Sequence, residues 1–158
     1  MDPRKEAERY FAMAYEAQMK GDLETAIACY RKSIACAPTA EAHTFLGWTY
    51  SFQGDYEAAI RECCTAIRID PDFGNPYNDI GSYLIKLGRH ADAIPWLTQA
   101  LAARRYEPRH YPHVNLARVY AKQGKIREAI VEVQRALELE PDYKPARTEL
   151  HRLVGLLN

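Results

Sequence analysis

Four cysteines and five histidines are the side chains of this chain best suited to catalysis or metal binding. The cysteines, Cys29, Cys36, Cys63 and Cys64, lack the paired C-x-x-C spacing of a zinc site. Two of the histidines lie three residues apart in segment 110–113, with no acidic partner beside them in the sequence. We therefore expect free thiols in a reducing compartment, no disulfide and no metal site.

The glycines and the histidines at repeat-equivalent positions form no catalytic pattern either. Phosphate-binding loops need clustered glycines, whereas the glycines here stand alone. His43 and His113 occupy equivalent positions of a helical stripe, which favours a packing role. The sequence thus predicts that the chain is not an enzyme, with no catalytic residue and no cofactor.

The segment HTFLGWTYSF, residues 43–52, is better suited to binding than to catalysis. It places four aromatic side chains within eight positions, Phe45, Trp48, Tyr50 and Phe52. Each residue of an α-helix advances by about 100°, so Tyr50 shares the side of the small and aliphatic residues while the other three lie opposite. Three adjacent exposed aromatic side chains typically mark an interface.

Four similar segments indicate how such a helix is positioned. They are residues 20–38, 53–71, 87–105 and 123–141. Each has a Gly followed five residues later by Ala-Ile, and the four glycines are 33, 34 and 36 residues apart. A period of this length is typical of stacked two-helix units. The Gly is expected to end the first helix of a unit, and the Pro that closes three of the segments to end the second.

Apolar stripes on both helices of each unit are predicted to form the core. The first helices contribute Tyr10, Met13, Ala14 and Ala17; His43, Leu46, Gly47 and Tyr50; Tyr77, Ile80, Gly81 and Leu84; and His113, Leu116, Ala117 and Tyr120. The second helices contribute Ala26, Tyr30 and Ser33; Ala59, Cys63 and Ala66; Ala93, Leu97 and Ala100; and Ala129, Val133 and Ala136. Small residues in both stripes allow the helix backbones to approach closely.

These segments resemble the tetratricopeptide repeat (TPR), in which W-x2-L-G-x2-Y is followed by A-x3-F, a further Ala and Pro. The resemblance covers about residues 7–143, in units of about 7–39, 40–73, 74–109 and 110–143. It implies an all-α fold, a right-handed α-α superhelix of antiparallel helix pairs. With a capping helix at 144–157, residues 1–158 are predicted to form a single TPR domain.

Two segments are less regular. The capping helix would bury a face with Ala146, Leu150, Val154 and Leu157. The third unit has Arg105 in place of the closing Pro and two extra residues before the next helix. For residues 104–112 a longer connector is favoured over a protruding loop that exposes Arg104, Arg105, Tyr106 and Arg109.

The TPR resemblance implies that the first helices line a concave groove in which the family binds peptides or helices. The residues expected there are Tyr15, Met19, Phe45, Trp48, Phe52, Asp79, Ser82, Lys86, Asn115, Arg118 and Lys122. This predicts a non-catalytic adaptor for a peptide or protein segment with an apolar anchor and an acidic group. The clamp residues of chaperone-binding TPR domains are absent at the corresponding positions, so that binding mode is not expected.

Other interpretations stay open at this stage. The aromatic side chains could instead pack on each other and close the groove. The chain could also be a structural scaffold that self-assembles into a homo-oligomer through head-to-tail or groove contacts, because residues 1–73 carry a net charge of −4 and residues 74–158 carry +4. No strongly basic surface suggests nucleic acid, and no long apolar run suggests a membrane or a secretory signal. A cytoplasmic location is expected.

Overall fold

The computed structural model describes residues 2–158, and these form nine α-helices. They are α1 (Pro3–Met19), α2 (Leu23–Cys36), α3 (Ala40–Phe52), α4 (Tyr56–Ile69), α5 (Asn75–Lys86), α6 (His90–Ala102), α7 (His110–Lys122), α8 (Ile126–Leu139) and α9 (Lys144–Gly155). Each helix packs on the next one, and α3, α5 and α7 also contact each other in turn. The predicted all-α superhelix of helix pairs is confirmed. No helix of the described part of the chain has the length and hydrophobicity needed to cross a membrane.

The turn within the second helix pair, like that within the first, follows directly from the local sequence. Gly54 has φ 78°, a left-handed conformation that L side chains rarely adopt, and it ends the first helix of its pair. The Asp55 carboxylate then accepts a hydrogen bond from the Ala58 amide at 3.1 Å and caps α4. The Gly-Asp pair therefore both stops one helix and starts the next.

The core is built from the predicted small residues of the second helices. Ala26, Ala59, Ala93 and Ala129 are fully buried. A Cβ at Gly81 would lie 2.4 Å from a methyl group of Leu97, so only Gly allows α5 and α6 to pack this closely. These contacts join most of the chain into neighbouring apolar clusters.

Two of the predicted core faces were partly wrong. Met13 is exposed, and the neighbouring Phe11 packs against the apolar cluster of the first unit instead. In α9 the buried side chains are Ala146 and Leu153, whereas Val154 and Leu157 are exposed. Both errors fall on helices at the ends of the described stack, where fewer neighbouring helices constrain which residues are buried.

The irregular segment after α6 is held against the α4–α5 loop. The Arg105 side chain pairs with Asp70 and with Glu41 and lies 4.3 Å from the centre of the Phe73 ring. Tyr106 is buried, which agrees with the favoured connector and not with the alternative of a protruding loop. The Arg109 guanidinium donates hydrogen bonds to the last carbonyl groups of the α6 region, at 2.9 and 2.7 Å. The segment is therefore an ordered connector, and it includes a cis peptide bond between Glu107 and Pro108.

Candidate functional site: the concave groove

The aromatic residues of α1 and α3 form a continuous row. The Phe45 ring makes edge contacts with Phe11, Tyr15 and Trp48, with ring centres 5.2, 5.9 and 5.8 Å apart. Trp48 continues the row to Phe52 at 5.0 Å. We call these five residues the aromatic row. Edge-to-face contacts of this kind hold neighbouring rings in defined orientations.

The aromatic row is partly packed and partly exposed. Phe45 is half-buried at its centre, whereas Tyr15 is 44% and Phe52 is 56% exposed. The aromatic residues therefore do pack on each other, as one interpretation of the sequence had it. The packing nevertheless leaves an apolar cavity of about 790 Å³, which is lined by Phe11, Tyr15 and Phe45 among others.

Two further cavities continue from the aromatic row towards α5 and α7. They measure about 680 and 480 Å³ and share four lining residues, Trp48, Asn78, Asp79 and Tyr111. Because they share these walls, the two cavities form one groove across α3, α5 and α7. Asp79 and Trp48 lie where the aromatic part of the groove meets its polar part.

The polar part is organised by hydrogen bonds between helices. The Asn115 amide donates to the Asn78 side-chain oxygen at 2.9 Å and so connects α7 to α5. The Arg118 guanidinium in turn donates to the Asn115 oxygen at 3.3 Å. These bonds fix the orientation of both amide side chains at the base of the groove.

Asp79 and Tyr83 are two strongly perturbed titratable groups of the groove. Burial raises the pKa of Asp79 to about 7. Burial also raises the pKa of Tyr83, and the nearby Asp79 adds to this rise. The Tyr83 hydroxyl makes no hydrogen bond within residues 2–158, although the Ser51 side chain lies close enough to oppose the rise in its pKa.

Nine of the eleven predicted groove residues line these two connected cavities. They are Tyr15, Phe45, Trp48, Phe52, Asp79, Ser82, Lys86, Asn115 and Arg118. Met19 and Lys122 do not line either cavity; they are the last residues of α1 and α7 and are exposed.

Several side chains that line the cavities did not appear among the predicted groove residues, and Phe11, Asn78 and Tyr83 are three of them. Each lies four residues from a predicted groove residue on the same helix. The three pairs are Phe11 with Tyr15, Asn78 with Ser82, and Tyr83 with Asp79. Residues four apart share a face of a helix. Stepping four residues from each predicted position would thus have found all three.

The two histidines of the core stripe have acidic partners that are distant in the sequence. His43 Nδ1 lies 2.7 Å from a Glu62 carboxylate oxygen, and His113 Nδ1 lies 2.7 Å from Glu132. Both pairs link the first and second helix of a repeat, which agrees with the predicted packing role. Within residues 2–158 no three His, Cys, Asp or Glu side chains are close enough together to hold a metal ion.

Family comparison assigns this architecture. Tetratricopeptide repeat models match residues 7–39 and 40–73 in one case and residues 72–141 in another. The chain belongs to the tetratricopeptide repeat family. The groove between α1, α3, α5 and α7 is therefore the concave face of a TPR superhelix.

Two plant proteins are similar to most of this chain. The chain is 29% identical to anaphase-promoting complex subunit 6 of Arabidopsis thaliana over 82% of its own length. It is 25% identical to Hsp70-Hsp90 organizing protein 2 of the same plant over 84% of its length. The chain spans about a quarter of these relatives, 24% and 22% of their lengths.

Solved structures support the same fold. The Pseudomonas aeruginosa pilF structure matches with a TM-score of 0.90 at 21% identity, covering 98% of this chain and 70% of that one. The structure of PilW, described as a type IV pilus biogenesis factor, matches with a TM-score of 0.87 at 25% identity, covering 95% and 69%. The first TPR of Spaghetti (RPAP3), solved bound to the HSP90 peptide SRMEEVD, matches with a TM-score of 0.71 at 25% identity, covering 75% and 95%.

Proposed function

We propose that this TPR protein is a non-catalytic adaptor that binds a peptide or protein segment along its concave groove. The observation that carries the proposal is the aromatic row, with its ends exposed beside open cavities. A large apolar patch that remains in contact with water is unfavourable, and burying one Phe-sized side chain is worth about 1.5–3 kcal/mol. Such a patch is typical of an interaction surface.

The comparison with RPAP3 supports a peptide as the ligand. That TPR domain was solved with an HSP90 peptide bound, which shows that a related superhelix can hold a short acidic segment. The groove of this chain differs in its side chains, because Phe45, Asn75 and Asp79 occupy positions that correspond to the clamp residues of chaperone-binding TPR domains. A ligand anchored by apolar side chains is therefore proposed, with any acidic group near Lys86, Arg118 and Lys122.

A pull-down with matched variants tests this proposal. The wild-type chain is compared with two variants. Phe52→Ser removes an exposed aromatic side chain of the groove. Leu139→Ser removes a side chain of similar exposure, 51%, on α8, which is the second helix of the last repeat. We expect a protein that the wild type and Leu139→Ser retain and that Phe52→Ser loses. Equal helicity and equal melting temperatures of the three proteins are the control for folding. Retention of the same proteins by all three would contradict binding at the groove.

A self-assembling scaffold is the alternative, and a separate surface favours it. Val154, Leu156 and Leu157 expose apolar side chains together at the C-terminal helix. If this surface joins copies of the chain, light scattering will show a mass that rises with protein concentration and that Leu156→Ser lowers. A constant monomer mass at every concentration and salt level would exclude this alternative.

The cytoplasmic location also remains a proposal. All four cysteine thiols are free, and burial raises the pKa of Cys63 well above its usual value. A thiol held neutral and buried is unreactive. Fractionation of cells expressing the tagged chain would test the location directly.

A further inference from the structure

Asp79 lies at the centre of the groove, and its carboxylate has no partner among residues 2–158. It accepts no hydrogen bond and forms no ion pair with any described basic side chain. Buried carboxylates are normally hydrogen-bonded or paired with a cation, because removing the charge from water is unfavourable. The structure therefore places a partly buried carboxyl group without a partner among residues 2–158 on the wall shared by the two cavities.

The nearest groove cations do not neutralise this group. Lys86 is seven residues further along α5, which is about 10 Å along the helix axis. Arg118 directs its guanidinium to Asn115 at 3.3 Å. Burial alone accounts for the raised pKa of Asp79, with no opposing contribution from a basic residue.

A second unsatisfied group lies one turn away. Tyr83 is 5% exposed, its hydroxyl has no hydrogen-bond partner among the described residues, and its side chain lines the same cavity as Asp79. A buried polar group without a partner is rare in native proteins. A hydroxyl can accept a hydrogen bond, so a donor that reached both Asp79 and Tyr83 would satisfy them together.

Aromatic rings form the walls around these two acceptors. Trp48 from α3 and Tyr111 from α7 line both cavities beside Asp79. Cations are attracted to the faces of aromatic rings, and most strongly to Trp. A carboxylate between aromatic walls is suited to an ammonium or guanidinium group and poorly suited to an anion.

We propose that Asp79 selects ligands in which a Lys or Arg side chain enters the groove between Trp48 and Tyr111, next to an apolar residue that packs on the aromatic row. This inference rests on the proposed function, since it names the chemistry of the bound segment. The basic group fills the position that the protein leaves without a cation. The acidic group expected near Lys86 and Arg118 would then be a separate feature of the same ligand.

A peptide selection tests groove binding and the role of Asp79 separately. A random library displayed as an internal segment, with fixed flanks so that no free terminus contributes, is selected on the wild type, on Asp79→Asn and on Asp92→Asn. Asp92 is an exposed aspartate on α6 with the same charge, outside the groove cavities. We expect the wild type and Asp92→Asn to enrich an apolar residue next to Lys or Arg. With Asp79→Asn we expect the apolar residue without the basic one.

The outcomes distinguish the two proposals. Enriched peptides without a basic position, or with an acidic one, overturn the role of Asp79 while leaving groove binding intact. The same basic enrichment with Asp79→Asn overturns it as well. No enrichment above the unselected library with any of the three proteins contradicts groove binding itself.

A double-mutant cycle with one selected peptide then separates recognition from fold effects. The basic residue of the peptide is replaced by norleucine for Lys or citrulline for Arg, and dissociation constants are measured by fluorescence anisotropy. With the wild type we expect affinity to fall about tenfold, the usual scale for a lost charge-assisted hydrogen bond. With Asp79→Asn the same replacement should change affinity by less than about twofold, because the partner is already absent. Equal losses with both proteins would show that Asp79 does not contact the basic group.

Discussion

The two halves of the groove are built by different physical means. In the first half, aromatic rings from α1 and α3 satisfy one another through packing and expose apolar surface at both ends of the row. In the second half, α5 and α7 are joined by an amide hydrogen bond, yet Asp79 and the Tyr83 hydroxyl have no partner among residues 2–158.

The difference predicts that the two halves contribute differently to affinity and to specificity. Apolar area gives affinity with little directional preference. A polar group that is already desolvated rejects any ligand that does not satisfy it, and so gives specificity. We therefore expect the aromatic half to determine how tightly a ligand binds, and the polar half to determine which ligand binds.

The largest expected effect is the loss of affinity on removing Trp48 from the aromatic row. Trp48→Ala should weaken a selected peptide by about 30-fold or more, because truncating a central aromatic residue of an interface commonly costs 2 kcal/mol or more. Fluorescence anisotropy measures the affinity, with Leu139→Ala as the exposed control outside the groove. A loss below about threefold would show that the aromatic half does not carry the affinity.

The next effect is a gain in folding stability, which we expect when the charge of Asp79 is removed. Because its folded-state pKa is raised from 3.8 to about 7, the folded protein holds this proton more tightly than the unfolded chain. Asp79 thus lowers stability as pH rises from about 4 to about 7. Asp79→Asn should raise the free energy of unfolding at pH 8 by about 1–3 kcal/mol, since one pKa unit is worth about 1.4 kcal/mol.

Urea denaturation at pH 8 and pH 4 provides the measurement. The gain should be largest at pH 8 and should be much smaller at pH 4, where the carboxyl is protonated in the folded state and only about half ionised in the unfolded chain. A variant that binds less well yet folds more stably is typical of a binding residue held in an unfavourable state. A gain that is the same at both pH values would assign it to packing rather than to the buried charge.

A smaller effect is expected from pH on peptide binding. The titratable groups around Asp79 are Cys63 on α4, Tyr83 on α5, and Tyr106 and Tyr111 before and on α7, besides the permanently charged Lys86 and Arg118. The raised pKa values of Cys63, Tyr83 and Tyr106 keep these groups neutral at pH 6–8, so Asp79 is the group that changes charge in this range.

Binding of a peptide with a basic residue should accordingly weaken several-fold, up to about tenfold, as the pH falls from 8 to 6. Only the ionised carboxylate attracts the cation. The control is Asp79→Asn, which should bind with the same affinity at both pH values. Weaker binding of the wild type at pH 8 than at pH 6 would contradict a cationic ligand at this position.

The smallest effect is expected at the exposed cations. Replacing Lys86 or Arg118 by Gln should change affinity by no more than about threefold and should reduce its salt dependence, because exposed charge pairs are weak and screened. Titrations at low and high salt measure both quantities. A loss as large as that of Trp48→Ala would place the main anchor of the ligand in the polar half.

The sequence predicted much of the fold because a repeat constrains the same positions several times. The buried alanines of α2, α4, α6 and α8 were predicted because the same apolar stripe recurs in the second helix of each repeat. Where that repetition is interrupted, prediction was weaker. Tyr106 is buried because the irregular segment folds onto the α4–α5 loop, and nothing in its local pattern indicates this.

By itself, therefore, the sequence determined the helix pairs, the Gly that ends each first helix, and which face of α3, α5 and α7 points away from the core. These properties depend on local periodicity and on Gly at the turns, with Asp caps at the first two. Only the tertiary structure decided which groove residues are satisfied. Whether Asp79 has a cation beside it, or the Tyr83 hydroxyl a hydrogen-bond partner, depends on side chains from other helices. The distance between those helices is set by packing rather than by spacing along the chain.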